Sequence, residues 1–459
     1  MSAQIPKRGF DFVVVSNRLP IASLHKETGS REAVLSPGGL ISALGPALQE
    51  EHLAWVGWDG NDLGLDEPIS MRNTEIFPVT LDSDLVAGHY DGYSNGTLWP
   101  LFHNVGIEPT LNSKWSEIYR EVNLIFADRV ANVAARGATI WVHDYQMMLV
   151  PKFLSEKRHD LTIGYFHHIP FCGPEVFSKL EEGPEILEGL AAADISGFQR
   201  ETDRMNFLEC LQANSGIYDH HRARIYPVQI DFASVSKNAN HPSIRRRADK
   251  IRFELGNPKR ILLGIDRVDY TKGIIQRLES FERLLSSGEI SADDVVMVQI
   301  GSLSRQNVPA YRSLRLEIEK IVGRINSLFS SADGRPAVVL SIENYDDSEI
   351  LARYVAADVM IVSSLRDGMN LVAKEFVASK NDESGVLLLS PFTGASDELV
   401  EAVEADPTKS QEFDAAMLLA LSMSSTEQKK RMGLMRTELS GKSSSLWVKQ
   451  ILGELSVSP

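Results

Sequence analysis

Short β-branched, apolar runs alternate with longer amphipathic stretches along nearly the whole chain. Phe12–Ser16, Thr139–Val142, Thr162–Phe166 and Ile195–Phe198 read as strands in the first half. Arg260–Gly264, Val295–Ile300, Val338–Ser341, Val359–Ser363 and Val386–Ser390 repeat the pattern in the second. Between them, Trp115–Ala134, Lys272–Leu285, Tyr311–Asn326 and Ser348–Ala356 space their apolar residues as amphipathic helices do. Near-continuous apolar strands separated by helices of that length predict an α/β fold, with parallel sheets covered on both faces. The pattern lapses between Asp231 and Arg260, where polar residues accumulate from Ser234 to Ser243 and a basic helix, Ile244–Phe253, follows. Two α/β domains of similar size are therefore expected. The cations Arg245, Arg246, Arg247, Lys250 and Arg252 are read as a solvated helix face rather than an anion site.

Length agrees with that division, since 459 residues at roughly 100–200 per domain make two to four folding units. Acidic residues outnumber basic ones, 62 to 47, for a formal charge of −15. Such a balance argues against nucleic acid as partner, and an anionic substrate would need a local basic pocket working against the global field. Cys172 and Cys210 make no disulfide framework and match no zinc spacing. No apolar run approaches the ~18 residues of a membrane span, and the first apolar stretch breaks at Asn17-Arg18, too early for a signal peptide. A soluble protein of a reducing, cytoplasmic compartment is expected, with no membrane partner.

Three segments carry candidate chemistry. Ser36-Pro37-Gly38-Gly39-Leu40 follows the first strand and precedes the helical stretch Leu40–Leu48. Glycines there let the backbone approach a ligand at a helix N-terminus, although a structural turn is the plainer reading of such a pair. Gly264-Ile265-Asp266-Arg267-Val268-Asp269-Tyr270-Thr271-Lys272-Gly273 spans a strand end and a helix start, the edge at which open α/β sheets bind ligands. Arg267 and Lys272 can reach one anion there, a diphosphate for example, without a metal; ion bridges to Asp266 and Asp269 are the alternative. Ser364-Leu365-Arg366-Asp367-Gly368-Met369-Asn370-Leu371-Val372-Ala373-Lys374-Glu375 follows the strand Val359–Ser363 and opens a helix, Leu371–Ala378. The N–H groups near Asn370, Leu371 and Val372 would point at phosphate. Asp367 could face a sugar and Glu375 a ribose; their plainer readings are a helix cap and surface charge.

The adjacent pairs His167-His168 and His220-His221 point to opposite faces if extended, so neither is a metal site by itself. His168, at a strand end, can donate to a substrate hydroxyl, and Asp144, also past a strand, can accept from one. No HExxH, Walker A or GxGxxG sequence occurs, so a metal enzyme and a dinucleotide oxidoreductase are disfavoured. Tyr90-Asp91-Gly92-Tyr93-Ser94-Asn95 and Leu98-Trp99-Pro100 offer aromatic faces for a sugar, or ordinary core packing.

With these residues in hand, the chain resembles the trehalose-6-phosphate synthases, retaining glycosyltransferases of family 20 with the two-Rossmann-domain GT-B fold. The likeness runs from Val13-Val14-Val15-Ser16-Asn17-Arg18-Leu19-Pro20 to the stretch around Trp447. It implies an acceptor-binding domain over 1–235, a nucleotide-sugar domain over 236–440 and a terminal helix, 441–459, packing back on the first domain. By the same resemblance Arg267 and Lys272 bind the donor diphosphate with backbone groups at Asn370, Leu371 and Val372. Glu375 holds the ribose, Asp367 the donor glucose, and Gly39 lies against the donor. Arg18 and Arg305 grip the phosphate of glucose 6-phosphate, beside Tyr90 and Trp99, and Asp144 and His168 touch the sugars where the bond forms.

The activity so implied moves glucose from a nucleotide-glucose, UDP-glucose foremost, to glucose 6-phosphate with retention, using neither cofactor nor metal. The departing phosphate oxygen takes the acceptor's proton, and the protein positions and stabilises charge. Alternatives are a relative using glycerol 3-phosphate and a catalytically silent phosphosugar sensor, although the latter should lack Arg267, Lys272 or Glu375. The chain departs from the family pattern at Cys172-Gly173, Leu180-Glu181-Glu182-Gly183, Pro391 and Asp406-Pro407. No Asp-x-Asp-Gly signature occurs, so dephosphorylation of the product falls to a separate phosphatase. The oligomeric state stays open, a homo-oligomer included.

Overall fold

The structure is a computed structural model that describes residues 9–27, 30–35, 44, 52–60, 63–65, 67–215, 222–305 and 307–457. The chain divides into two compact units, Met1–Gln229 with Ser444–Pro459, and Ile230–Ser443.

In the first unit the described strands are β1 (Phe10–Arg18), β2 (Ile21–Glu27), β3 (Ser30–Leu35), β4 (Leu53–Trp58), β5 (Ile69–Met71), β6 (Thr74–Val79), β7 (Ala134–His143), β8 (Thr162–Phe166), β9 (Ile195–Phe198) and β10 (Ala223–Ile225). Eight of them form one sheet in the order β10-β9-β8-β7-β1-β4-β6-β5, and β2 and β3 pair separately. Only β5 runs antiparallel to its neighbour in the large sheet. Val13, Val14 and Val15 are fully buried in β1, as a strand covered on both faces requires. The helix Ser444–Ser456 belongs to this unit. Its Trp447 Nε1 donates to the Tyr226 carbonyl at 3.0 Å, and Tyr226 Oη donates to Glu454 at 2.7 Å.

The second unit holds β11 (Arg260–Arg267), β12 (Val295–Ser302), β13 (Val338–Ile342), β14 (Val359–Val362), β15 (Val386–Leu389) and β16 (Val403–Glu404), in the order β13-β12-β11-β14-β15-β16 and all parallel. Alternate side chains fill two cores. Leu262, Met297 and Ile361 pack under helices Ile274–Ser287 and Pro309–Leu328. Ile261, Leu263, Val298 and Met360 pack under Asp347–Ala356 and Leu371–Ser379. The expected α/β architecture of two parallel-sheet units is present.

Both sheets reverse their winding beside the first strand, between β1 and β7 in one unit and between β11 and β14 in the other. Such a reversal leaves a crevice beyond the carboxyl ends of the two strands, because their connections leave in opposite directions.

Candidate functional site

At the β11/β14 reversal, β11 ends on Asp266 and Arg267, and a short 3₁₀ turn, Tyr270–Lys272, precedes the helix Ile274–Ser287. Asp269 organises this turn from a fully buried position. Its Oδ1 accepts from the Thr271 amide and hydroxyl, each at 3.1 Å. Its Oδ2 meets Arg267 at 3.3 Å and Arg305 at 3.1 Å. Arg305, only 5% exposed, also donates to Tyr311 Oη. A depression of about 180 Å³ lined by Val268, Leu303, Ser304, Tyr311, Arg312 and Arg315 flanks it.

Lys272 faces the other way, with its Nζ 2.5 Å from Asp367 Oδ2. Gly273 makes that approach possible. It adopts φ +62°, and a Cβ there would sit 1.9 Å from the Ser363 carbonyl oxygen. Beneath the turn lies Arg277, wholly buried. It donates to Asp266 at 2.6 Å, Ser363 Oγ at 2.8 Å, Gln299 at 3.2 Å and the Lys272 carbonyl at 3.2 Å. Of the two bridges weighed from the sequence, Arg267 to Asp269 exists, whereas Asp266 belongs to Arg277 instead.

The loop after β14 completes this half-site. Asp367 Oδ2 also accepts from Asn370 Nδ2 at 3.1 Å and Ser364 Oγ at 3.3 Å. Asn370, not Asp367, caps the helix Leu371–Ser379, its Oδ1 accepting from the Ala373 amide at 3.2 Å. The amides of Leu371 and Val372 open that helix with no intrahelical acceptor. One turn on, Glu375 is half-buried and accepts from Tyr354 Oη at 2.9 Å. Burial pushes its carboxyl from 4.5 up to about 7, although the Tyr354 bond pulls the other way.

At the β1/β7 reversal, Arg18 and Trp58 end the paired strands β1 and β4 in register. The exposed Arg18 guanidinium lies 4.7 Å over the Trp58 ring, which Tyr90 meets edge-on at 5.8 Å. Gly60, at φ +83°, leaves room for that guanidinium; a Cβ would stand 2.4 Å from its Cζ. Trp99 is interior, 4% exposed, against His103 and Tyr145.

Asp144 follows β7 at φ 76°, ψ 169°, a conformation that non-glycine residues adopt at a cost of about 1–3 kcal/mol. Its backbone amide donates to the Phe166 carbonyl at 2.8 Å. Its Oδ1 accepts from the amides of Tyr145 at 3.0 Å and His168 at 3.2 Å. His168 Nε2 lies 3.0 Å from His143 Nδ1, and burial pushes the His168 imidazole down to about 3, so it is neutral. His167 points the other way. Tyr165 Oη and the Pro170 carbonyl, at 2.9 and 3.4 Å, satisfy both its nitrogens. Gly39 and the His220-His221 pair lie outside the described residues.

The sequence profile of glycosyltransferase family 20 matches residues 10–457. The chain belongs to that family. It is 42% identical to the trehalose-6-phosphate synthase of Mycobacterium sp. (strain JLS), over 97% of this chain and 96% of that one. The same figure holds for the enzyme of Mycobacterium avium (strain 104), over 98% and 96%. An E. coli structure bound with UDP-2-fluoro glucose superimposes with TM-score 0.88 at 29% identity, covering 97% of this chain and 99% of that one. A trehalose-phosphate synthase of Burkholderia xenovorans in complex with glucose-6-phosphate gives TM-score 0.88 at 29% identity, over 97% and 99%.

This family 20 glycosyltransferase thus presents two residue sets, one at each reversal. Arg267, Lys272, Asp367, Asn370, Leu371, Val372 and Glu375 all lie on the segments that follow β11 and β14, where Lys272, Asp367 and Asn370 form one hydrogen-bonded group while Arg267 pairs with Asp269 and Glu375 with Tyr354; Arg18, Asp144 and His168 stand beyond β1, β7 and β8. Sequence reading missed Trp58, Arg277, His143 and Tyr354. Trp58 sits in a fully apolar strand and Arg277 in a helix, so neither carries a local signal. Among the described residues no cluster of His, Cys, Asp and Glu is arranged to hold a metal ion, and no helix is long and apolar enough to cross a membrane.

Proposed function

We propose that this glycosyltransferase makes α,α-trehalose 6-phosphate, moving glucose with retention from UDP-glucose to glucose 6-phosphate. The observation that carries this reading is that Arg267, Lys272 and an open helix N-terminus all follow the strands at the β11/β14 reversal, in a chain so similar to enzymes of that name. We assign the donor to a domain over 236–440 and the acceptor to one over 1–235, as the family resemblance implies.

Arg267 and Lys272 receive the diphosphate, with the Leu371 and Val372 amides and the Asn370 turn adding hydrogen bonds. Lys272 then trades part of its contact with Asp367 for a phosphate oxygen, which frees Asp367 to accept from glucose hydroxyls. Glu375 accepts from the ribose, and Gly39 lies against the donor. Arg18 and Arg305 take the acceptor phosphate, Tyr90 and Trp99 shape its pocket, and Asp144 and His168 hold sugar hydroxyls.

As the bond from the anomeric carbon to the diphosphate oxygen breaks, positive charge grows on the sugar and negative charge on the leaving group. The acceptor's anomeric hydroxyl attacks from the same face and passes its proton to the departing phosphate oxygen. The two cations stabilise that oxygen without a metal, each contact contributing on the order of 1.5–3 kcal/mol. The buried thiols of Cys172 and Cys210, both unbridged, support a reducing, cytoplasmic setting.

Purified protein with UDP-, GDP- and ADP-glucose, each offered glucose 6-phosphate or glycerol 3-phosphate, tests the reading. A non-reducing phosphorylated disaccharide from glucose 6-phosphate is expected. Product from glycerol 3-phosphate alone would replace it.

A further inference from the structure

His143 ends β7 directly before Asp144, is fully buried, and has no place in the chemistry above. Its Nδ1 meets His168 Nε2 at 3.0 Å, while its own Nε2 has no hydrogen-bond partner among the described residues. That nitrogen is buried, and aromatic rings pack around its imidazole: the ring centres of Trp141 and Phe166 lie 4.4 and 6.5 Å from its own, and Trp447 packs on both. The second ring nitrogen of His168, Nδ1, has no partner among the described residues, and His168 is half-buried at the strand edge.

A hydrogen bond between two neutral imidazoles holds one proton, so two arrangements exist. If His168 Nε2 donates, the single ring proton of His143 must sit on its enclosed Nε2, as a buried N–H with no acceptor. If His143 Nδ1 donates, the enclosed Nε2 is a bare lone pair, and His168 carries its proton on Nδ1. Buried N–H groups without acceptors are rarer and costlier than unfilled lone pairs, so the second arrangement prevails. We infer that His143 is a positioning residue that fixes His168 in the Nδ1–H form, so that His168 presents a hydrogen-bond donor, never an acceptor, to a sugar hydroxyl. This rests on the reading of His168 as a substrate-contacting residue. The partner it selects is a hydroxyl or alkoxide oxygen acting as acceptor, which complements Asp144, an acceptor for hydroxyl protons one residue from His143.

The test is ¹⁵N NMR of the ligand-free enzyme with labelled histidines, His143 and His168 being assigned by single substitution. Protonated Nδ1 and bare Nε2 on both residues are expected. A protonated Nε2 on His168 overturns the inference whatever His168 does in catalysis. His143→Asn, whose amide nitrogen can replace the Nδ1–H, should keep kcat within about threefold. His143→Phe, which keeps the aromatic packing but not the donor, should lower kcat roughly 10–100-fold, the range of one lost hydrogen bond at a reacting centre, with little change in UDP affinity. Unchanged kcat in His143→Phe overturns the positioning role. If His143→Phe fails to fold, the wild-type NMR pattern still decides. Should His168→Asn transfer glucose normally while that pattern holds, the substrate role of His168 falls, and the positioning role with it, but the tautomer stands.

Discussion

Tyr354 Oη donates to Glu375 Oε2 at 2.9 Å, yet burial outweighs that bond and holds the carboxyl up at about 7, in the helix that follows Asn370. The carboxylate must be ionised to accept from both hydroxyls of a ribose. UDP affinity should therefore fall as pH drops below about 7, approaching tenfold per unit. Glu375→Gln removes this dependence and keeps only the titration of UDP itself, so isothermal calorimetry across pH 5.5 to 8.5, on the order of three pH units around that value, compares the two directly. Identical slopes would remove Glu375 from the ribose site.

Stability carries the same signature with its own sign. A carboxyl raised from 4.5 to about 7 on folding stabilises the native state while protonated, and that contribution is lost as pH rises through about 7. The Tm of the wild type should fall relative to Glu375→Gln between those values, as thermal melts will show.

Asp144 holds φ 76° at the edge where the sugars are assigned. Glycine there relieves about 1–3 kcal/mol of backbone strain. It also removes the charge-assisted bonds from the Tyr145 and His168 amides, worth about 1.5–3 kcal/mol each. The strain relief offsets part of that loss, so Asp144→Gly should melt a few degrees below the wild type while transfer falls about 10–150-fold, the range of one charge-assisted contact. A large loss of Tm with activity intact would make Asp144 a structural residue.

The strands were legible where β-branched residues dominate. Thr162–Phe166 and Ile195–Phe198 fall where the pattern places them, and Val359–Ser363 ends one residue early. Leu53–Trp58 escaped because Val56 is its single β-branched residue, and Thr74–Val79 because Pro78 argues against a strand. The helix expected from Lys272 starts at Ile274, since Gly273 turns left-handed at φ +62°. The residues that touch ligands in the proposed site announced themselves by charge beside a strand end. Their supports did not: Arg277 is one more helical arginine until β11, β12 and β14 close around it, and the value of His143 lies in a nitrogen that only packing leaves alone.

Arg305 and Arg267 share Asp269 Oδ2, so Arg305 can act on the acceptor directly or through its neighbour. The acceptor assignment predicts that Arg305→Ala raises the KM for glucose 6-phosphate about 10–150-fold with UDP affinity unchanged. Equal losses for both ligands, read from steady-state kinetics and UDP titration, would mean that it works through Asp269 and Arg267 instead.

Lys272 rests 2.5 Å from Asp367 and is proposed to stabilise the leaving diphosphate together with Arg267. Glucosyl transfer in metal-free buffer with excess chelator, by the wild type and by Lys272→Ala side by side, tests this most directly. The account predicts full turnover for the wild type and a loss of about 10–150-fold or more for the variant. Turnover abolished by the chelator, or a variant as fast as the wild type, would contradict it.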